Sequence, residues 1–528
     1  MSLIAHLARM EAVEAGRAQP LATVRHRHLS ARPLVLVPLT TAGEAGAPLG
    51  ALVGTDPAEP RLLVVPQPRD REQRFAFLAE LAEVVLPYVE GYADDVEPVE
   101  RKDPATGEKV LVDLCADAPQ LIVPSRAGIA YVRLLGRSMR FRRTAEQDPD
   151  APYPAPPRVP LLGRWLTHYG ERARVPGSSL LLAATDLLNR HWATGQSSLE
   201  DQHLGALLAW IDASDEPGAA SGAEAAHRAE LGRDERGQLL CPPAGPATDP
   251  AFDNQLLAPA IEAYDRARLA VGAAEDGAAA ELALGALHRA EGEVRRLVAS
   301  QLKPTWDASW RALGLLRELP EGARVADRWT RDRWSFTAHR DRITAGEPPQ
   351  PRRDDAVTAA AKLAAREQAQ GQLDAQEALD DPLVLAGRRL AGEAFTGEVT
   401  EVVMAWTESK RPAPRPLVTV RTGDRPHLGE GVKAYRSLDG RPQAAEFVAL
   451  EEDGSVVLRL LDKMGRAKEP APGTVPEKGD RIAWTLFEHD QRSGPKLPDP
   501  EETPWTHGGP PRHPEGELPD AVTPEDLL

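Results

Sequence analysis

Two arginine-rich stretches carry the residue types best suited to holding an anion. The first, RVADRWTRDRWSFTAHRDR (324–342), has six arginines, two tryptophans and a phenylalanine in nineteen residues. Guanidinium groups hold phosphates and indole rings stack on bases, so such a segment suits a nucleic-acid surface. Arg331, Trp334, Arg340 and Arg342 are the residues assigned to that role. Three aspartates set against six arginines leave a net charge of +3. Read as a helix, the segment can instead pair its own charges. Asp327 with Arg331 and Arg328 with Asp332 both stand at i,i+4, a spacing that stabilises a helix by about 0.2–0.5 kcal/mol per pair. Val325, Trp329 and Phe336 then share one face, expected to join Trp306 and Trp310 in a core, while Trp334 falls on a different side.

The second stretch, YVRLLGRSMRFRR (131–143), carries Arg133, Arg137, Arg140, Arg142 and Arg143 and no acid. Counterion release would favour phosphate binding there. As the edge of a sheet, the same arginines would discourage pairing with another sheet. PPQPRRDD (348–355) adds Arg352 and Arg353 beside the first stretch, with Asp354 or Asp355 capping the next helix.

Other chemistries have less footing. His26 and His28 in RHRHL could share one side of a strand, but no acid or cysteine stands at ligand spacing, so neither metal nor cofactor is expected. Asp249-Pro250 reads as a turn, and Asp253 as the cap of the helix that follows. VPGSSLLLA (175–183) lacks the G-x-S-x-G pattern of a nucleophile elbow, and Ser178 or Ser179 is expected as an N-cap. A restriction-type nuclease would want acids followed by Asp/Glu-x-Lys on a strand, yet lysine is absent between Lys109 and Lys303. Nothing matches GxxxxGK[ST], so a P-loop ATPase is excluded.

Composition tempers the arginine signal. The chain of 528 residues has 53 arginines against 10 lysines, with abundant Ala, Gly and Pro, a bias typical of GC-rich bacterial genomes. Its formal charge of −17 repels polyanions at long range, so any nucleic-acid contact must be local. Two distant cysteines suit a reducing compartment. The start, MSLIAHLARMEAVEAG, lacks a signal-peptide core, and the apolar runs are too short to span a bilayer. The expectation is a cytoplasmic protein without a membrane partner.

The chain is expected to fold as an α+β multidomain protein. Residues 1–147 form a mixed α/β unit, with strands at 32–39, 49–54 and 61–68, a helix over 70–89 capped by Asp70 and stopped near Pro87, and a last strand pair in QLIVPSRAGIAYVRLL (120–135). A proline-rich break at 148–160 leads to a helical domain, 160–390. There Ser197-x-x-Glu200 marks a capping box, 213–240 reads as a loop, separate helices cover 277–302 and 304–319, and an Ala-rich helix runs from Asp354 to about Leu379. Six short β-type segments then make a small β-barrel within 391–490. The tail, 491–528, has nine prolines and eight acids and is expected to be disordered.

Within the barrel segment, VPEKGDRIAWTLF (475–487) after FTGEVTEVV (395–403) resembles the small β-barrel that accompanies superfamily-1B helicases. That resemblance covers under a fifth of the chain and implies association with nucleic-acid machinery. The whole chain resembles an uncharacterised family of high-GC bacteria, which implies no activity. The expected function is a non-enzymatic accessory or scaffold protein that binds a protein partner, within a nucleic-acid-processing assembly. The alternative is a divergent nuclease or hydrolase with its site in the N-terminal α/β unit, residues 30–145. Whether a small-molecule ligand is bound is left open by the sequence.

Overall fold

The computed structural model describes residues 3–487 apart from Ala45, Pro104, Ala105, Asp215, Pro217, Ala244, Glu275, Asp276, Arg352, Lys410 and Arg466. The tail expected to be disordered lies outside the described residues. The architecture is mixed α+β: a sheet wrapped in helices, a mainly helical middle region and a C-terminal six-stranded barrel.

At the centre lies a five-stranded sheet in the order Arg61–Val64, Pro48–Gly54, Leu34–Thr40, Leu121–Val123, Leu181–Ala183. Pro48–Gly54 runs antiparallel to both its neighbours, and the last three strands are parallel to one another. LVLVPLT is buried at every position, as a strand covered on both faces must be. Alternation along it sorts the core. Leu34 and Leu36 point to one layer with Phe77, Leu81, Val132, Trp165 and Phe336. Val35, Val37 and Leu39 point to the other, with Leu188, Leu207, Val298 and Trp306.

The fifth strand, Leu181–Ala183, lies beyond the proline-rich break, and both faces of the sheet are covered by helices of the middle region. Residues on either side of 148–160 therefore share their cores. The parallel strands are the reason: each return crossing needs a helix, and the chain supplies those helices before and after the break.

Several local expectations are corrected. Of the last strand pair, only Leu121–Val123 is a strand, and Arg126–Met139 is a helix. A parallel neighbour cannot be reached by a hairpin, so the chain turns at Pro124-Ser125 into a crossover helix. Asp70 does cap Arg71–Ala93, accepting from Glu72 N and Gln73 N, but the helix runs past Pro87. The two helices expected at 277–302 and 304–319 are one, Ala278–Glu318, with Pro304 inside it. The region read as a loop contains the helix Gly222–Leu231, opened by a capping box of Ser221 and Glu224. Ser197 and Glu200 also bond reciprocally, Ser197 N to the Glu200 carboxylate at 2.7 Å and Glu200 N to Ser197 Oγ at 3.3 Å. Asp355 caps Ala356–Asp380 through Thr358 N.

Helices Arg126–Met139 and Val159–Arg172 cross through two glycines. A Cβ on Gly163 would lie 2.5 Å from Arg140 N, and one on Gly136 would lie 2.6 Å from Thr167 N. Both obstacles are backbone. Alanine is the better helix former by about 1 kcal/mol, yet overpacking here costs about 1–3 kcal/mol. Gly163→Ala is therefore expected to lower the urea midpoint, and a raised midpoint would show that the crossing can open.

The barrel closes in the order Ala394–Val403, Leu417–Thr422, Val456–Leu460, Arg441–Leu450, Lys433–Leu438, Arg481–Thr485, which returns to the first. All six expected segments supply a strand. Phe395, Val418, Val420, Leu458 and Trp484 fill its interior. Arg389 of the preceding helix Pro382–Leu390 grips Asp424 at 2.8 and 3.0 Å, and Asp424 also accepts from Thr396 N, which fastens the barrel to that helix.

Candidate functional site

RVADRWTRDRWSFTAHRDR forms the helix Val325–Thr344. Val325, Trp329 and Phe336 are buried on its inner face. They do not meet Trp306 and Trp310, because the sheet stands between the two groups. Trp329 stacks on His28 with ring centroids 4.1 Å apart and donates to Asp117 at 2.7 Å, and Phe336 packs on Trp165.

Neither expected i,i+4 ion pair is the one formed: Asp332 takes tertiary partners and Asp327 a local one. Asp332 is buried and accepts from Arg172 Nη2 at 2.7 Å, Ser178 Oγ at 2.7 Å and Ser179 N at 2.6 Å. Asp327 pairs with Arg324 at i,i+3 instead. Ser178 and Ser179 are therefore anchors rather than N-caps: the strand Leu181–Ala183 follows them, and Ser179 Oγ also accepts from His28 N. A buried carboxylate flanked by three donors outside its helix gains more than from one solvated neighbour, so the tertiary partners win.

The nine arginine and tryptophan positions scatter. Trp334 is half-buried under Arg101, whose guanidinium carbon lies 5.1 Å from the ring centroid. Arg340 donates to Ala93 O at 2.7 Å and to Cys115 Sγ at 3.1 Å, tying the helix to the hairpin of Val96–Lys102 and Lys109–Cys115. Arg342 is exposed at the helix end. In the second stretch Arg133 and Arg137 are half-buried on a helix, not on a strand edge. Arg140 is buried and donates to Gln350 O at 3.0 Å. Arg142 lies over Phe75, and exposed Arg143 is 3.6 Å from Asp148.

Arg331 has a different setting. With Arg324 and Arg328 it lines a pocket of about 120 Å³, closed by Pro176 and by Ala369, Gln372 and Gln376 of the helix Ala356–Asp380. The three arginines stand at i, i+4 and i+7, so their side chains emerge on one helical face. No acid is among the lining residues. Of the carboxylates close by, Asp327 partly neutralises the pocket's own Arg324 and the others are engaged. Asp327 is paired with Arg324, Glu377 with Arg190, and Asp380 accepts from Ala323 N and Gln376 Nε2.

Arg328 is the most confined of the three. It donates to His26 O at 3.2 Å, and its Nε is buried without a partner among the described residues. Burial, with Arg331 and Arg324 working against Glu377 and Asp380, lowers its guanidinium to about 10, so it is charged at neutral pH. Neighbouring Arg27 is lowered to about 10 by burial and by Arg190. Burial and the charges of Arg328 and Arg190 push the His26 imidazole down to about 3, which leaves it neutral. A crowded group of cations beside a neutral imidazole favours an anion in the pocket.

Arg324 and Arg328 were not singled out as binding residues in the sequence, although their spacing with Arg331 was visible there. The opposite wall was not legible, because 369, 372 and 376 lie in a separate Ala-rich helix.

A roomier cleft, about 380 Å³, lies where strands Leu34–Thr40 and Arg61–Val64 end. Ligands in open α/β sheets bind outside such carboxyl ends. Among its polar groups Arg69 pairs with Glu44 at 2.9 Å and the Gln67 amide donates to Asp265 at 2.6 Å. Asp253 does not cap a following helix but lies in a π-turn, Asp253–Leu257, and accepts from Ala42 N and Thr248 Oγ1. Asp249 is held by Arg233 at 3.0 and 3.2 Å. His26 and His28 face different partners, and no group of three His, Cys, Asp or Glu among the described residues is arranged to hold a metal. No helix among them is long and apolar enough to cross a membrane.

Compared with known proteins, the chain matches no family model, no curated protein and no solved structure.

Proposed function

We propose that the chain is a non-enzymatic accessory protein that binds a polyanionic partner, a nucleic acid, at the pocket between helices Val325–Thr344 and Ala356–Asp380. The observation that carries this reading is the convergence of Arg324, Arg328 and Arg331 on one concave surface with no acid in its lining. Guanidinium donors fit phosphate oxygens in a way that a flat, solvated arginine face does not. Against the −17 of the whole chain, such a pocket supplies a local attraction that salt will screen.

Titration of labelled single-stranded and duplex nucleic acid at low salt tests the reading. Arg324→Gln with Arg331→Gln is expected to weaken binding about a hundredfold or more, the loss of two contacts worth about 1.5–3 kcal/mol each. The slope of log affinity against log salt should fall by about 1 for each phosphate contact removed. Both side chains sit at the pocket rim, so folding can be checked by an unchanged melting profile. Wild-type affinity in a folded double variant would overturn the reading. For the second stretch, Arg140 is a poor probe because it is buried against Gln350, whereas reversing exposed Arg143 tests that surface without touching the core.

A further inference from the structure

The hairpin of Val96–Lys102 and Lys109–Cys115 is a sheet of two strands that pairs with no third strand among the described residues. Its register runs from Val96 opposite Cys115 to Lys102 opposite Lys109. Just beyond each end, Ala116 N donates to Asp95 O and Asp103 N to Glu108 O, both at 2.8 Å. Bonded and non-bonded pairs alternate along an antiparallel ladder, so 97, 99 and 101 bond inward to 114, 112 and 110. The backbone N–H and C=O groups of Lys109, Leu111, Asp113 and Cys115 therefore point away from the hairpin. At Cys115 they are taken by the helix Val325–Thr344: N donates to Thr337 Oγ1 at 3.1 Å, and O accepts from Arg333 Nε at 2.9 Å. At Lys109, Leu111 and Asp113 no strand among the described residues answers them.

The opposite edge of the hairpin is different. Pro98 stands across from Asp113, at an outward-pointing position of Val96–Lys102. Proline brings no N–H to that edge, which closes it to a further strand. KVLVD (109–113) carries no such block. Leu111 at its centre is 71% exposed, and Val110 beside it is exposed as well. A two-stranded hairpin is marginal by itself, so an open edge of this kind gains from another strand.

The open edge is complementary to itself. Two copies laid antiparallel about a two-fold axis at Leu111 set Leu111 beside Leu111, Val110 beside Val112 and Lys109 beside Asp113. Every outward residue then meets an outward residue, in three pairs of two backbone hydrogen bonds each. Opposite charges directly across an antiparallel pair are stabilising and like charges are not. Lys109, which holds Glu100 of its own hairpin at 2.6 Å, would also reach the partner's Asp113. Neighbouring registers do worse. A shift of two residues toward the turn leaves Asp113 without a strand partner, and the reverse shift sets Lys109 against Cys115, which the helix already covers.

We infer that the Lys109–Asp113 edge is a self-association surface whose partner is a second copy of this chain, the two hairpins joining into one four-stranded sheet. The two-fold arrangement uses the same edge on both copies, so association closes at a dimer. Five residues per strand make a smaller contact than the interfaces of about 1,200 Å² or more that hold stable complexes, so a dissociation constant on the order of 10 μM is expected.

Sedimentation equilibrium of the full chain, from about 1 to about 200 μM, tests this. Leu111→Pro removes the N–H on the axis without removing a bond inside the hairpin, as Pro98 does on the other strand. It is expected to weaken association about tenfold or more, with an unchanged melting profile. Lys109→Asp and Asp113→Lys each set like charges across the axis, so each variant alone should associate less than wild type. An equimolar mixture of the two should recover the dimer, because every aspartate then faces a lysine. Unfolding or a dimer built on another surface would not give that recovery. A wild type that stays monomeric over the whole range would overturn the inference. So would a dimer that Leu111→Pro leaves intact, or a mixture that associates no better than its components.

Discussion

Asp332→Ala is expected to lower the free energy of unfolding by about 3–5 kcal/mol, the range for removing one member of a buried charged network. Asp332 is 1% exposed and ties together three separate pieces of chain. Arg172 reaches it from the helix Val159–Arg172, and Ser178 Oγ and Ser179 N reach it from the loop that leads into the fifth strand. Alanine leaves a guanidinium, a hydroxyl and a backbone N–H facing a cavity. The backbone N–H cannot rotate away, so at least that donor stays unsatisfied. Gly177 in the same loop has φ +82°, a conformation that needs an anchor as well as a glycine. Urea unfolding followed by tryptophan emission reads the effect, since Trp329 and Trp165 lie in the adjoining core. A loss below about 1 kcal/mol would show that the loop is held by its other contacts. Because Pro176 lines the pocket, the same variant should weaken anion binding even where the fold survives.

Acid lability should be the second large effect. His168 and His339 stack with ring centroids 4.3 Å apart at 10°, and both Nε2 atoms are buried without partners among the described residues. Burial, then His339 and the arginines Arg172 and Arg342, hold His168 well below its ordinary 6.5. Burial, then Arg342 and Arg164, bring His339 down to about 3, matching His26. These groups are neutral when folded and protonate near 6.5 when unfolded. The unfolded chain therefore binds more protons, and stability is intact above pH 6.5 and falls as pH drops toward 3. Each histidine contributes about 1.4 kcal/mol per pH unit in that window, or about 4 kcal/mol per unit for all three. Unfolding free energy measured at pH 7.5, 6.5 and 5.5 should be nearly flat over the first step and drop steeply over the second. Burial also lowers His28, His191 and His203, so His168→Phe with His339→Phe should remove only part of the slope, at most about 2.7 kcal/mol per pH unit. A wild type equally stable at pH 5.5 and 7.5 would sink the idea.

Legibility in the sequence followed the range of the interaction. Asp70 and the Ser197–Glu200 pair act within three residues and were placed by the sequence, which left the third cap open between Asp354 and Asp355 and did not see that His203 caps Leu204–Ile211. The strands of the barrel were legible because they are consecutive and bounded by Gly, Pro and Asp turns, although only three of the six pairings join chain neighbours. Gly222–Leu231 carried the same capping signature and could have been read in the same way. The Leu121–Val123 segment was half right, since an apolar run does not say whether its partner is parallel, and only the partner decides between hairpin and crossover helix. The intrahelical ion pairs failed for a related reason: local spacing shows which charges can meet, not which better partners arrive from elsewhere.

The sequence by itself determined many of the local elements, the six barrel strands and the local arginine excess. The tertiary structure alone decided what those arginines face. Arg340 and Arg140 are held on backbone carbonyls, while Arg324, Arg328 and Arg331 line a cavity with Gln372 and Gln376, Arg331 donating to Gln372 Oε1 at 2.9 Å. Local capping and turn energies depend on residues a few positions apart. A binding pocket depends on desolvation and convergence between segments some forty residues apart or more, which no spacing along one helix encodes.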